Sequence, residues 1–255
     1  MTDVQQNALN YQCPEQALAN RVILVTGAGD GIGKAVSLDL ARKGATVILL
    51  GRTQEKLEIV YDQIKAEGGA EPAMAPVNLE VARPQDYEEL ATLFESEFGC
   101  IDGILHNASI LGEITPIEQY GYSTWDTVMQ VNVNAAFYLT RALLPLLMKS
   151  DDASVLFTSS SVGRKGRAFW CAYAVSKFAT EGLMQVLADE LENISNVRVN
   201  SLNPGGTRTA MRALAYPAED SSKLKTPSEI TAPYLYLLGP ASTGITGHTI
   251  DAQPR

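Results

Sequence analysis

Short apolar segments alternate with longer segments of helical periodicity along most of this 255-residue chain. Such alternation favours a parallel sheet that is covered by helices on both faces. Crossovers between parallel strands are almost always right-handed. The sequence therefore predicts an α/β fold with a single domain, built on a doubly wound parallel sheet of about seven strands. The predicted strands are 21–26, 46–51, 73–77, 101–106, 153–159, 197–202 and 248–251. The predicted helices are 32–43, 54–67, 84–98, 123–148, 171–193 and 227–238.

Length and composition fit one such domain. A chain of 255 residues, 45% of them hydrophobic, can bury the core of a single α/β unit. Residues 1–20 are polar, so we expect an N-terminal extension there and the folded domain over residues 21–255. No apolar run reaches the ~18 residues that span a bilayer, and no secretory signal is present. We therefore expect no membrane partner.

Charge and cysteine content narrow the function classes. The net charge of −9 and the pI near 4.8 argue against a nucleic-acid or anionic-membrane partner. Cys13, Cys100 and Cys171 are odd in number and scattered, which favours reduced thiols and a cytoplasmic location. The histidines, His106 and His248, are far apart, and no cluster has metal-ligand spacing, so we expect no metal site. We interpret His106, at the end of a predicted strand, as structural.

A glycine-rich turn joins the first predicted strand to the first predicted helix. It reads Thr26-Gly27-Ala28-Gly29-Asp30-Gly31-Ile32-Gly33. Glycines let a backbone turn tightly and approach a pyrophosphate, which then sits at the N-terminus of the helix. A glycine-rich turn alone could be purely structural, but the strand before it and the helix after it favour nucleotide binding on a Rossmann-like fold.

A candidate proton-transfer site lies in the second half of the chain. Tyr173 and Lys177 are four residues apart and would share one face of a helix, and Ser160 lies thirteen residues upstream at the end of a predicted strand. A nearby ammonium favours the phenolate and lowers the pKa of a tyrosine from about 10. With a serine hydroxyl on the same substrate oxygen, this is a general acid/base suited to a carbonyl or an alcohol. Tyr61 and Lys65 repeat the spacing in a charged stretch, which we interpret as a solvated helix face.

These motifs resemble the short-chain dehydrogenases/reductases over residues 20–250. The shared positions are the Thr26–Gly33 turn, Asn107-Ala108-Ser109, Asn132, Ser160, Tyr173, Lys177 and Asn203-Pro204-Gly205. Segments 129–135 and 203–212 are similar in more detail to bacterial YciK-type oxidoreductases. The resemblance implies an enzyme, an NAD(P)-dependent oxidoreductase that interconverts a secondary alcohol and a ketone or aldehyde by hydride transfer. The alternative is a dinucleotide-binding sensor or interaction protein on the same fold.

The resemblance also implies residue roles. Tyr173 would be the general acid in reduction and the base in oxidation. Lys177 would lower the pKa of Tyr173 and bind the nicotinamide ribose. Ser160 would position the carbonyl oxygen, and Asn132 would hold a water linked to Lys177. The implied cofactor-binding residues are Gly27, Gly29, Asp30, Gly31, Ile32, Gly33, Arg52, Asn78, Leu79, Asn107, Ala108, Tyr173, Lys177, Pro204, Gly205, Thr207 and Thr209.

Two of these roles have competing residues. Ser159 and Ser161 are alternatives to Ser160. The resemblance favours Ser160, because it precedes the tyrosine by thirteen residues and Gly163 follows it three residues later, as in the family. Asn134 is the alternative to Asn132. The plainest interpretation of Asn134 is a polar residue in the interior of a helix.

Cofactor choice depends on the end of the second predicted strand. An acid there would bind the ribose hydroxyls of NAD, but the chain has Arg52, which suits the 2′-phosphate of NADP. Asp30 weighs against NADP because it could repel that phosphate. We therefore expect NADP, with NAD possible. Asn78 replaces the aspartate usual near the adenine ring, and an asparagine can still accept a hydrogen bond there.

Assembly and substrate charge are the remaining expectations. The predicted helices 123–148 and 171–193 carry more apolar residues than one face needs, and in the family they build a dimer interface, so we expect a homodimer or homotetramer. Apart from its own subunits, we expect the protein to bind a small-molecule carbonyl or alcohol as its substrate. Five basic residues should border the cleft and could attract an anionic substrate, or bind the cofactor, a second subunit or only water. They are Arg164, Lys165, Arg167, Arg208 and Arg212.

Overall fold

Within residues 2–254, which the computed structural model describes, seven strands form one sheet. They are β1 (Val22–Thr26), β2 (Thr46–Gly51), β3 (Ala73–Pro76), β4 (Gly103–His106), β5 (Ser154–Thr158), β6 (Arg198–Asn203) and β7 (Thr249–Asp251). The order is β3-β2-β1-β4-β5-β6-β7, and every neighbouring pair is parallel. The predicted fold is confirmed. The chain changes direction across the sheet between β1 and β4, and such sheets bind ligands there, outside the carboxyl ends of the strands.

Helices cover both faces of this sheet. They are α1 (Asp3–Leu9), α2 (Gly31–Arg42), α3 (Gln54–Ala66), α4 (Pro84–Phe98), α5 (Tyr122–Met129), α6 (Ala135–Leu147), α7 (Cys171–Leu191), α8 (Ala210–Ala215) and α9 (Ala232–Leu238). None of these helices, all within residues 2–254, is long and apolar enough to cross a membrane.

Strand β1 shows why the strands are apolar without alternation. Ile23 and Val25 face the core that α2, α3 and α9 cover, whereas Leu24 faces the core under α4, α6 and α7. All three side chains are fully buried. Successive residues of a strand point to opposite faces, so a sheet that is covered twice needs an apolar residue at every position.

Two predicted helices differ from the observed ones. The predicted helix 123–148 is interrupted by a π-helical turn at Gln130–Asn134, which separates α5 from α6. The predicted helix 227–238 is a 3-10 turn at Pro227–Ile230 followed by α9. Pro233 stands in the first turn of α9, where the absence of its N–H costs nothing.

Two short helices were not predicted, because their segments are polar or irregular. Helix α1 begins after Thr2, whose hydroxyl accepts a hydrogen bond from the backbone of Gln5, and α8 begins in the same way after Thr209. The Gln5 side chain donates to the carbonyl of Asp251 at 2.6 Å and accepts from its N–H at 2.9 Å. Residues 3–9 thus cover the exposed edge of β7.

Candidate active site

One cleft of about 1570 Å³ runs across the carboxyl ends of the strands. It collects nearly all of the residues that the sequence assigns to the site. Ser160 and every predicted cofactor-binding residue except Gly33 line it. Asn132 does not line this cleft either, and lines a smaller cavity beside it.

The glycine-rich turn forms one wall of the cleft and leads directly into α2. Asp30 caps this helix by accepting a hydrogen bond from Gly31 N at 2.7 Å. Gly27 has a left-handed backbone with φ of 68°, and a Cβ at Gly33 would overlap the carbonyl oxygen of Gly27. Gly33 therefore keeps the turn tight rather than lining the cleft. A tight glycine turn at a helix N-terminus fits the pyrophosphate of a dinucleotide.

Thr26 ties the first turn to the loop that follows β4. Its hydroxyl accepts hydrogen bonds from the backbone N–H groups of Asn107 and Ala108, at 2.9 and 3.0 Å, and donates to the carbonyl of Leu105. Asn107 also donates to the Thr26 carbonyl at 3.3 Å. The two neighbouring strand ends are thus fixed against each other where the cleft begins.

The end of the cleft beside β2 carries two cations that face solvent. The guanidinium of Arg52 is 66% exposed and lies 3.7 Å from Glu80. Asp30 makes an ion pair of 2.6 Å with Lys56, which also lines the cleft. Sequence reasoning missed Lys56, which carries no motif, and it offsets the charge on Asp30 that weighed against NADP. Asn78 accepts a hydrogen bond from Glu80 N, as an aspartate would.

Ser160, Tyr173 and Lys177 line the same part of the cleft. Ser160 follows β5, and α7 places Tyr173 and Lys177 one turn apart, with 9% and 4% exposure. The Lys177 ammonium donates to the carbonyl of Thr158 at 2.8 Å and lies 5.6 Å from the centre of the Tyr173 ring. These contacts hold both ionisable groups in place.

Burial dominates the protonation of this pair. It raises the pKa of Tyr173 to about 12, although a hydrogen bond with the Ser160 hydroxyl opposes the rise. It lowers the pKa of Lys177 to about 8, although the carboxylate of Glu181 opposes the fall. The pKa of Tyr173 therefore lies above its usual value in this structure, with burial as the largest effect. Tyr173 therefore holds its proton throughout the neutral range.

Asn132 lies in the π-helical turn. Its amide accepts from Ile110 N at 2.8 Å and donates to the carbonyl of Ile110 and the hydroxyl of Ser176, at 2.9 and 3.0 Å. A cavity of about 10 Å³ lies between Asn132 and Lys177, and a space of this size holds one water. Asn134 instead bonds Gln130 within its own helix.

His106 lines the same small cavity but has a structural environment. Its ring stacks on Phe157 with centroids 4.7 Å apart and is hydrogen-bonded to Thr140 at 2.8 Å. Burial lowers the pKa of His106 to about 3, so the ring is neutral. Within residues 2–254, no group of three histidine, cysteine or acidic side chains could hold a metal ion.

Two further residues near the site were not predicted from the sequence. Gln253 donates to the carbonyls of Pro204 and Gly206, at 2.8 and 3.0 Å, and so shapes the cleft wall after β6. Glu181 is buried one turn beyond Lys177, and its carboxylate accepts from Ser201 at 2.7 Å. Only the spacing of Glu181 from Lys177 could have drawn attention to it.

The second Tyr-x-x-x-Lys motif lies outside the cleft. On α3, the Tyr61 hydroxyl and the Lys65 ammonium both donate to the carboxylate of Glu71. The interpretation of this pair as a helix face agrees with its contacts.

Four of the five basic residues already have partners. Arg164 lies 3.0 Å from Asp251, and Arg212 pairs with both carboxylate oxygens of Glu219 at 2.6 Å. The remaining contacts are those of Arg167, which stacks on Trp170 and Tyr216, and Arg208, which donates to Leu224 O. Lys165 is exposed.

A family model described as short chain dehydrogenase matches residues 21–220. The chain belongs to the short-chain dehydrogenase family. The "Uncharacterized oxidoreductase YciK" of Escherichia coli (strain K12) is 54% identical over 246 residues, which cover 96% of this chain and 97% of the relative. The predicted membership of the YciK-type oxidoreductases is thereby confirmed.

Two other members of the family bear on function. A cyclohexanol dehydrogenase of Acinetobacter sp. (strain SE19) is 31% identical over 233 residues, covering 89% of this chain and 91% of the relative. A short chain dehydrogenase from Shigella flexneri 2a str. 301, solved in complex with NADP, is 54% identical with a TM-score of 0.92. That alignment covers 94% of this chain and all of the other.

Proposed function

We propose that this short-chain dehydrogenase is an NADP-dependent oxidoreductase that interconverts a secondary alcohol and a ketone. The observation that carries the proposal is the convergence of Ser160, Tyr173 and Lys177 on the cleft that the glycine-rich turn opens. A general acid, a hydrogen-bond donor and a cation around one point are what carbonyl reduction needs from the protein.

In reduction, the Ser160 hydroxyl donates a hydrogen bond to the carbonyl oxygen. A nicotinamide cofactor, when bound, supplies the hydride for the carbonyl carbon. Tyr173 gives its proton to the same oxygen, and its pKa of about 12 keeps it protonated until then. The Lys177 ammonium stabilises the phenolate that remains. In oxidation, the same groups act in reverse, with the phenolate as the base.

The small cavity beside Lys177 supports a route for the proton. It lies between the ammonium and Asn132, and its polar lining includes Thr26 and Thr180. A water held there by Asn132 would pass protons to Lys177, which would restore the protonated Tyr173 after each reduction.

Three observations support NADP as the preferred cofactor. Arg52 faces solvent beside the expected ribose position, Lys56 neutralises Asp30, and a relative of 54% identity was solved with NADP. Both cations would bind a 2′-phosphate through charge-assisted hydrogen bonds. NAD remains possible as a weaker cofactor.

Arg52→Ala should weaken NADPH binding at least about tenfold more than NADH binding, since a charge-assisted hydrogen bond is worth roughly 1.5–3 kcal/mol. Isothermal titration of both cofactors measures the difference. Arg83→Ala removes an exposed arginine outside the cleft and should change neither affinity. Equal losses for the two cofactors in Arg52→Ala would exclude this arginine as the phosphate-binding residue.

We also propose a homodimer or homotetramer. Val175, Phe178, Gly182 and Val186 form an exposed stripe along α7, and Phe137 is exposed on α6. An apolar stripe of this kind is typical of a subunit interface.

Phe178→Asp should dissociate the assembly, because a carboxylate would be buried without a partner in the interface. Light scattering at micromolar concentration should give a multiple of 27.5 kDa for the wild type and a smaller mass for the variant. Ile59→Asp, at a residue of α3 that is 59% exposed, is the control and should keep the assembly intact. A monomeric wild type contradicts the proposal.

The three cysteines are free thiols in the described structure, which supports our proposal of a cytoplasmic location.

Turnover tests the proposed function directly. Cyclohexanone with NADPH, and cyclohexanol with NADP⁺, form the first substrate pair, since the name of one relative points to this alcohol. We expect NADPH consumption in the first reaction and formation in the second. Tight binding of NADPH without turnover of any carbonyl would instead favour a dinucleotide sensor.

A further inference from the structure

The part of the cleft beyond Tyr173 has an apolar, aromatic wall. Trp170 is 8% exposed, and its ring lies 5.8 Å from that of Tyr173 and 5.6 Å from that of Tyr216, measured between centroids. The other side chains of this cluster that line the cleft are Leu111, Val162, Met211 and Ala215. A ligand group that contacts Tyr173 from this side therefore meets carbon atoms.

Three arginines at this end of the cleft are occupied by partners within the protein, whereas Lys165, which also lines the cleft, is exposed. Arg164 is paired with Asp251, and Arg212 is held by both oxygens of Glu219 while it stacks at 3.8 Å on the ring of Tyr216. To pair with Arg164 or Arg212, an anionic substrate would have to break one of these pairs and leave a carboxylate uncompensated, which is costly in a partly buried site.

The guanidinium of Arg167 is also occupied by partners within the protein. This guanidinium lies 5.5 Å from the centre of the Trp170 ring and 5.4 Å from that of Tyr216, and it donates to the Tyr216 hydroxyl. It thereby joins the segment after β5 to the segment around α8, and it holds the two rings that form the wall. The charge of Arg167 thus stabilises the packing of these two rings through cation–π contacts and is not directed at a ligand.

We propose that this site takes a neutral carbonyl compound, or the matching alcohol, that bears a flat ring next to the reacting carbon. The ring would lie against Trp170 and Tyr216, since aromatic groups pair at centroid spacings of about 4.5–7 Å. The inference rests on the proposed function and adds the substrate class to it. It also replaces the anionic substrate that the five basic residues suggested.

Three ketones test the inference in the intact protein with NADPH. Acetophenone is neutral and has a ring, para-acetylbenzoate adds a carboxylate to the same ring, and butanone has no ring. We expect kcat/KM for acetophenone to exceed both others by at least about tenfold, because the ring gains apolar contacts whereas the carboxylate would lie against the apolar wall. This comparison uses only the wild type and needs no variant to fold.

Two substitutions test the contribution of the aromatic wall. Tyr216→Ala should lower kcat/KM for acetophenone by about tenfold, mainly through KM, and lower that for butanone much less. Phe169→Ala is the matched control, because Phe169 precedes Trp170 but is 55% exposed and does not line the cleft. It should leave both values unchanged.

The possible outcomes separate the inference from the proposed function. Equal or better use of para-acetylbenzoate overturns the inference alone, and so does an equal loss for acetophenone and butanone in Tyr216→Ala. Absence of turnover with all three ketones, in protein that binds NADPH by titration, overturns the proposed function and the inference with it.

Discussion

Tyr173→Phe should lower carbonyl reduction by at least ~10²-fold, the usual scale for losing a general acid. The substitution removes the proton that Tyr173 would transfer and leaves the shape of its ring in the cluster with Trp170 nearly intact. NADPH affinity should therefore persist. Steady-state kinetics and isothermal titration on the same preparation measure both quantities.

Tyr61→Phe provides the matched control within the same chain. Tyr61 has a lysine at the same spacing, but it bonds Glu71 on α3, outside the cleft. Its substitution should leave turnover unchanged. Near-normal turnover in Tyr173→Phe together with a loss in Tyr61→Phe would show that the acid/base site is misassigned.

Lys177→Met should also lower turnover by at least ~10²-fold, because the phenolate of Tyr173 loses the ammonium of Lys177, which lies 5.6 Å from the centre of its ring. In the wild type, the pH profile of kcat/KM should show the titration of Lys177. With a pKa of about 8, Lys177 is charged below that pH and neutral above it, whereas Tyr173 keeps its proton until about 12. The pH dependence of kcat/KM reports the pKa values of the free enzyme. The kcat/KM for reduction should therefore fall as the pH rises through about 8.

A loss of protein stability cannot produce this fall in kcat/KM above pH 8. The pKa of Lys177 is lower in the folded protein than in the unfolded chain, so the unfolded chain binds more protons above pH 8 and this group's contribution to stability rises with pH there. Lys177→Arg keeps its charge in this range, so its residual activity should show no fall near pH 8. A fall that persists in Lys177→Arg would assign the titration to another group.

Much of the fold follows from sequence because the pattern is local. Strand β1 is apolar at every position, and only a sheet covered on both faces buries Ile23 and Leu24 together. The site follows from the same argument. Ser160 and the glycine-rich turn each come after a predicted strand, and the carboxyl ends of parallel strands meet at one edge.

What the sequence did not predict depends on contacts between distant segments. The π-helical turn holds Asn132 against the backbone of Ile110, which lies 22 residues earlier, and no helical periodicity encodes that bond. Gln253 reaches Pro204 across 49 residues. The raised pKa of Tyr173 arises from burial, which the four-residue spacing to Lys177 does not report.

The fate of the transferred hydrogen tests the central claim most directly. Wild-type protein would receive cyclohexanone and NADPH that carries deuterium at both transferable positions of the nicotinamide ring, and mass spectrometry would locate the label. We predict cyclohexanol with deuterium on its carbinol carbon, and almost no labelled alcohol from Tyr173→Phe in the same time. Cyclohexanol formed without deuterium, or labelled alcohol formed equally fast by both proteins, would contradict hydride transfer with Tyr173 as the acid.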